Sequence, residues 1–125
     1  VYQEDYGKNH VETARVLRLL GEVYCAEGDM ETAEDLINKS LLVFQQKSLP
    51  EIHKAYESLA TLYLKKAAQA TGEGDTKQGK ILTNHAVNYL TQALKIIRDY
   101  LPTDSQHIHR IQAKLMSIPG ASLVK

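Results

Sequence analysis

The chain of 125 residues contains no tryptophan, one phenylalanine, one cysteine and three prolines. The lone Cys25 excludes an internal disulfide framework and suits a reducing compartment. Pro50, Pro102 and Pro119 fall at breaks between apolar-periodic stretches, so no expected helix is interrupted. No apolar run approaches the roughly 18 residues that a membrane span needs. Neither sign of charge dominates: 15 basic side chains cancel 15 acidic ones, leaving no global field to attract nucleic acid or an anionic membrane. The charge is uneven along the chain, however. Residues 1–49 hold five Lys/Arg against nine Asp/Glu, and residues 50–125 hold ten against six.

What is present is self-similarity. Leu17, Leu20, Gly21, Val23 and Tyr24 recur as Tyr56, Leu59, Ala60, Leu62 and Tyr63, displaced by 39. Ala33, Ile37, Ser40 and Val43 recur as Ala86, Leu90, Ala93 and Ile96, displaced by 53. A small residue one turn before an aromatic, followed by a second amphipathic segment, describes a helical hairpin that buries its apolar face by stacking on copies of itself. The spacing predicts helices over 10–27, 30–47, 50–70, 76–100 and 104–117. Asp29 is the expected N-cap of the second. Ser48–Glu51, Asp75–Gln78 and Thr103–Gln106 read as capping boxes for the last three.

The second hairpin is longer by 14 residues, the difference between the Tyr63–Ala86 and Tyr24–Ala33 separations. Fourteen residues are about four helical turns. Ala67, Ala68 and Ala70, a turn at Gly72–Asp75, and a renewed apolar stripe at Ile81 and Leu82 point to a protruding hairpin rather than a long loop. Gly79 opposes it, costing about 1 kcal/mol inside a helix. Ile108, Ile111 and Leu115 form one apolar face, that of a terminal capping helix.

These residues resemble tetratricopeptide repeats, and specifically the long kind found in kinesin light chains. The likeness lies in Tyr6-Gly7 and His10, Ala14, Leu17, Leu20-Gly21, Tyr24, Gly28 and Ala33-Glu34. It is good over 1–47, fair over 48–100 and weak over 101–118. It implies an all-α, right-handed superhelical stack of antiparallel helix pairs over 1–118. Residues 1–8 would end a preceding repeat helix, 9–48 form repeat 1, 49–101 repeat 2 with the extended hairpin, and 103–118 the cap. Residues 119–125 are expected to be a disordered tail. On this view the chain is part of a longer array. Where the kinesin light chain pattern has paired asparagines, this chain has Arg18-Leu19 and Glu57-Ser58. Glu22 and Thr61 stand where the carboxylate clamp of chaperone-binding relatives has asparagine.

The resemblance also implies that first helices line a concave face. That places Arg15, Arg18, Glu22 and Cys25 beside Lys54, Glu57, Thr61 and Leu64 as the expected partner-binding set. The function implied is a non-catalytic, cytoplasmic adaptor that holds a protein or peptide through this groove or the hairpin. Self-association, or regulation of another domain of the same protein, is the alternative. No metal or cofactor is expected: His107 and His109 point to different helix faces, and His10, His53 and His85 stand apart. Cys25 has no neighbouring histidine in sequence, and Gly72–Asp75 lacks the strand of a phosphate-binding loop. Glu34-Asp35 is expected on an outward face. Lys65, Lys66, Lys77 and Lys80 form a basic cluster with no aromatic to stack a nucleobase.

Overall fold

Apolar residues at three- and four-residue spacings, with prolines confined to the joints, leave the backbone one way to satisfy its amides, the α-helix. The computed structural model describes residues 6–47, 50–100 and 106–118. Among these it has five helices and no strand: α1 (Tyr6–Glu27), α2 (Met30–Gln46), α3 (Ile52–Gly72), α4 (Thr76–Tyr100) and α5 (Gln106–Met116). α1 packs on α2 and α3 on α4 as hairpins. α2 packs on α3, α4 on α5, and α1 touches α3.

The two hairpins turn in the same way. Gly28 and Gly74 have φ of 96° and 92°, the left-handed conformation that ends a helix without a Cβ clash. The next residue is aspartate in both. Its N–H donates five residues back, Asp29 to the Tyr24 carbonyl at 2.9 Å and Asp75 to the Ala70 carbonyl at 2.8 Å. Its carboxylate then caps the following helix, accepting from Thr32 N–H at 3.2 Å and Gln78 N–H at 3.0 Å. The turns are displaced by 46 residues, midway between 39 and 53. Seven residues were therefore added before the turn and seven after it. Seven residues are about two turns, so each face is restored past the insertion.

Burial repeats with the sequence. Ala33, Ile37, Ser40 and Phe44 on α2 are fully buried, as are Ala86, Leu90, Ala93 and Ile97 on α4. Three apolar clusters make one seam. Ala14, Phe44, Ile52 and Ala55 lead to Cys25, Ala33, Ile37, Leu59 and Leu62. The third runs from Ala60 through Leu90 and Ile97 to Ile108, Ile111 and Leu115 of α5. Equivalence fails on one face only. Val16, Leu20 and Val23 are 53%, 43% and 51% exposed, whereas Ala55, Leu59 and Leu62, their counterparts on α3, are at 0%. α3 has α2 beside it, and among the described residues nothing occupies that position beside α1.

Several expectations are corrected. Tyr6–Lys8, expected to end an earlier helix, belong to α1, and His10 lies inside it rather than in a lead-in turn. Gly7 is a weak breaker, and no proline stops the helix. The second box is half formed: Asp75 caps, but its own N–H goes to Ala70 and not to Gln78. Glu51 makes no capping bond because its carboxylate is taken by Arg15. Ser48, the expected cap at 103–106 apart from Gln106, residues 1–5 and the tail lie outside the described residues. Ile81 is 43% exposed and extends no stripe. Gly79 favours the hairpin instead of opposing it: a Cβ there would lie 2.3 Å from Thr71 Oγ1 and 3.3 Å from the Ala67 carbonyl oxygen, so glycine lets α4 approach α3.

Gly21 is a similar close approach, where a Cβ would meet Ile37 Cγ1 at 2.5 Å and the Ala33 carbonyl oxygen at 3.1 Å. Gly72 has nothing within 4 Å. Gly21→Ala is expected to destabilise the fold by about 1–3 kcal/mol through overpacking. Gly72→Ala is expected to stabilise it by about 0.4–1 kcal/mol through the unfolded chain. Chemical denaturation of the two variants checks both; stabilisation by the first would contradict the close packing.

Candidate functional site: the groove between α1, α3 and α5

The seam orients the opposite faces of α1 and α3. On α3, Ala55, Leu59 and Leu62 face inward, which turns Lys54, Glu57, Ser58 and Thr61 toward α1 and α5. Three connected cavities follow. One of about 420 Å³ is lined by Arg18, Glu22, Lys54, Glu57, Ser58, Thr61, Arg110 and Lys114. One of about 580 Å³ shares Arg18 and Lys54 with it and adds Arg15, Leu19, Pro50, Glu51, His53 and His107. One of about 300 Å³ shares Glu22, Ser58 and Thr61 and adds Cys25, Ala26, Ile37 and Lys65. Of the eight residues expected here, seven line the groove. Leu64 instead packs against the third apolar cluster, that of Ala60 through Leu115. Cys25 is 6% exposed, so it closes one end more than it presents a thiol.

Ion pairs tie the walls together. The Arg15 guanidinium donates to Glu51 at 2.8 Å and to Glu12 at 2.9 Å. The hydrogen bond from Arg15 is the main reason that the Glu51 carboxyl sits below its usual range. Arg18 donates to Glu22 at 2.9 Å across one turn, and Ser58 Oγ donates to the same carboxylate at 2.6 Å. Arg110 donates through Nε at 2.9 Å and Nη2 at 2.7 Å to Glu57, and Lys114 Nζ donates at 2.6 Å. Burial pushes the Glu57 carboxyl up, but those two cations outweigh it and hold the pKa at about 2.

Two polar groups have no such satisfaction. Arg18 Nε is buried without a hydrogen-bond partner, as is Nδ1 of His53, a side chain only 4% exposed. Lys54 forms no ion pair among the described residues. The groove lining has six cations (Arg15, Arg18, Lys54, Lys65, Arg110 and Lys114) against three carboxylates (Glu22, Glu51 and Glu57), and Glu12, paired with Arg15, is a fourth. The chain is neutral, so a surplus of two positive charges here is a local field.

The α5 contribution was missed in the sequence, although a signal was present. Ile108, Ile111 and Leu115 face the core, so His107, Arg110 and Lys114, each one residue earlier, share the neighbouring face. His53 and His107, 54 residues apart, lie with ring centroids 5.0 Å apart. Glu34, expected to face outward, is half-buried and joins α2 to α3 by accepting from Tyr63 OH and Lys66 Nζ. Burial and that hydrogen bond to a carboxylate raise the Tyr63 phenol. The expected lysine cluster is thereby divided, since Lys65 also donates to the Cys25 carbonyl at 3.3 Å. Among the described residues no group of three or more His, Cys, Asp or Glu is placed to hold a metal, and no helix is long and apolar enough to cross a membrane.

Stacked antiparallel helix pairs with a polar groove along their first helices define the class of helical-repeat proteins. Residues 1–46 match the tetratricopeptide repeat family model, which supports a tetratricopeptide repeat protein on the first hairpin. No curated protein and no solved structure matches the chain. Repeats of this kind are generally protein-interaction modules.

Burial, then the nearby charge of His107, depresses the His53 pKa from 6.5 to about 4. The unfolded chain therefore binds a proton that the folded one refuses, and stability falls as pH drops from about 6.5 to 4. His53→Gln is expected to flatten that fall by on the order of 2 kcal/mol. Denaturation midpoints at pH 7 and pH 4.5 check it; an equal fall in the variant would refute the assignment.

Proposed function

We propose that this chain is a non-catalytic adaptor module that holds an acidic peptide segment of a partner protein in the groove between α1, α3 and α5. The observation that carries this reading is the surplus of two positive charges in a neutral chain, in the cavities that share Arg18 and Lys54. A groove with a net charge steers an opposite charge toward it and discriminates against like charge. The cavities also carry few apolar side chains, so main-chain and charge contacts would dominate over aromatic anchoring. The long repeat subtype of kinesin light chains is the proposed family setting, and a reducing cytoplasm the proposed location, in keeping with a free Cys25.

A second reading is favoured by the apolar face of α1. Val16, Leu20 and Val23 lie where α3 receives α2, so this face suits a further repeat helix or another copy of the chain. Under that reading Val16→Glu with Val23→Glu lowers the apparent mass at high concentration in sedimentation, and leaves peptide binding unchanged.

The groove reading is tested by fluorescence anisotropy with a labelled ten-residue Asp/Glu-rich peptide and a Lys-rich control. The acidic peptide is expected to bind, more weakly as salt rises. Lys54→Glu is expected to weaken it by about tenfold, equivalent to about 1.4 kcal/mol. Equal capture of the Lys-rich peptide, or indifference to Lys54→Glu, overturns it.

A further inference from the structure

In this groove the two cations of α5 are already engaged. Arg110 and Lys114 lie one turn apart and both aim at one Glu57 carboxylate on α3. The guanidinium meets it with two bonds, Nε to Oε2 at 2.9 Å and Nη2 to Oε1 at 2.7 Å. Lys114 Nζ approaches Oε2 at 2.6 Å. That fork is the way a guanidinium receives any carboxylate, including one brought by a ligand. The Glu57 side chain is 12% exposed, so it fills the position rather than lying beside it. On the same wall Lys54 has no ion pair among the described residues, and Arg18 Nε is buried without a partner.

We infer that Glu57 is an internal stand-in for a ligand carboxylate. It closes an anion subsite formed by Arg110 and Lys114 and directs an acidic segment onto Arg18 and Lys54. The inference rests on the groove reading above and makes Glu57 its specificity-determining residue. Because Glu57 stays ionised at neutral pH, the subsite opens only through competition or substitution. One carboxylate held by two cations leaves that trio a single positive charge; without it, two are offered to a second acidic side chain of the peptide.

The test is Glu57→Gln, which keeps the size of the side chain and removes its charge. α5 stays docked through Ile108, Ile111 and Leu115, and hydrogen exchange of the α5 amides monitors this. With the labelled Asp/Glu-rich peptide, the variant is expected to bind about tenfold tighter. Its salt dependence is expected to steepen because more cations are neutralised on binding. Adding Arg110→Gln returns affinity to the starting value. If Glu57→Gln loosens α5, Glu57→Asp is used, which keeps the charge but withdraws it, and a smaller rise is expected. Unchanged or weaker binding with α5 docked overturns the inference and leaves Glu57 a structural role. Failure of the groove reading looks different: neither protein binds the peptide, or Lys54→Glu has no effect on the unsubstituted chain, and the inference falls with it.

Discussion

The close approach of first to second helix in each hairpin is the constraint on which the rest depends. At Gly21 the Ile37 side chain takes the space that a β-carbon would need, and Ala60 stands at the matching place on α3. Small residues at the crossing let the helices share one apolar layer, and the buried series Ala33, Ile37, Ser40, Phe44 and Ala86, Leu90, Ala93, Ile97 follows. Once that layer is fixed, the opposite faces of α1 and α3 must form a common wall. The groove is a geometric consequence of the packing and not an independent feature.

Much of this was legible in the sequence. Two displacements, 39 and 53, identified the hairpins, and aspartate after glycine marked the turns. The family resemblance named first helices as the groove wall, and apolar periodicity then gave the side of each helix, so that seven of the eight expected residues line the cavities. Leu64 was misplaced because it lies near the border of the stripe, where periodicity alone assigns no side. The pairings of Glu51 with Arg15, Glu57 with Arg110 and Lys114, and His53 with His107 were not legible. Each spans 36 to 57 residues and depends on how far one helix slides past another. No local pattern records that offset.

In the proposed binding groove, ion pairs would shape specificity without adding much stability. Arg15–Glu51 and Arg18–Glu22 are partly open to water, where such contacts contribute about 0–1 kcal/mol. Their effect is on which charges remain available. Nine charged side chains converge, yet those pairs and the Glu57 trio leave Lys54 and Lys65 as the cations of the α3 wall without an ion pair among the described residues. The buried, unpartnered nitrogens of Arg18 and His53 lie beside Lys54. An unsatisfied buried donor such as Arg18 Nε is costly in an empty site and is relieved when a ligand supplies an acceptor.

The equal heptads on either side of the second turn have a consequence of their own. An insertion of one heptad per arm telescopes the hairpin while every residue below it keeps its azimuth, so the wall facing α1 is indifferent to the arm's length. An arm grown by three or four residues on one side alone would rotate its tip out of register with its mate. Lengths of this hairpin should therefore come in matched quanta, and chains that differ by 14 residues there can still present the same groove.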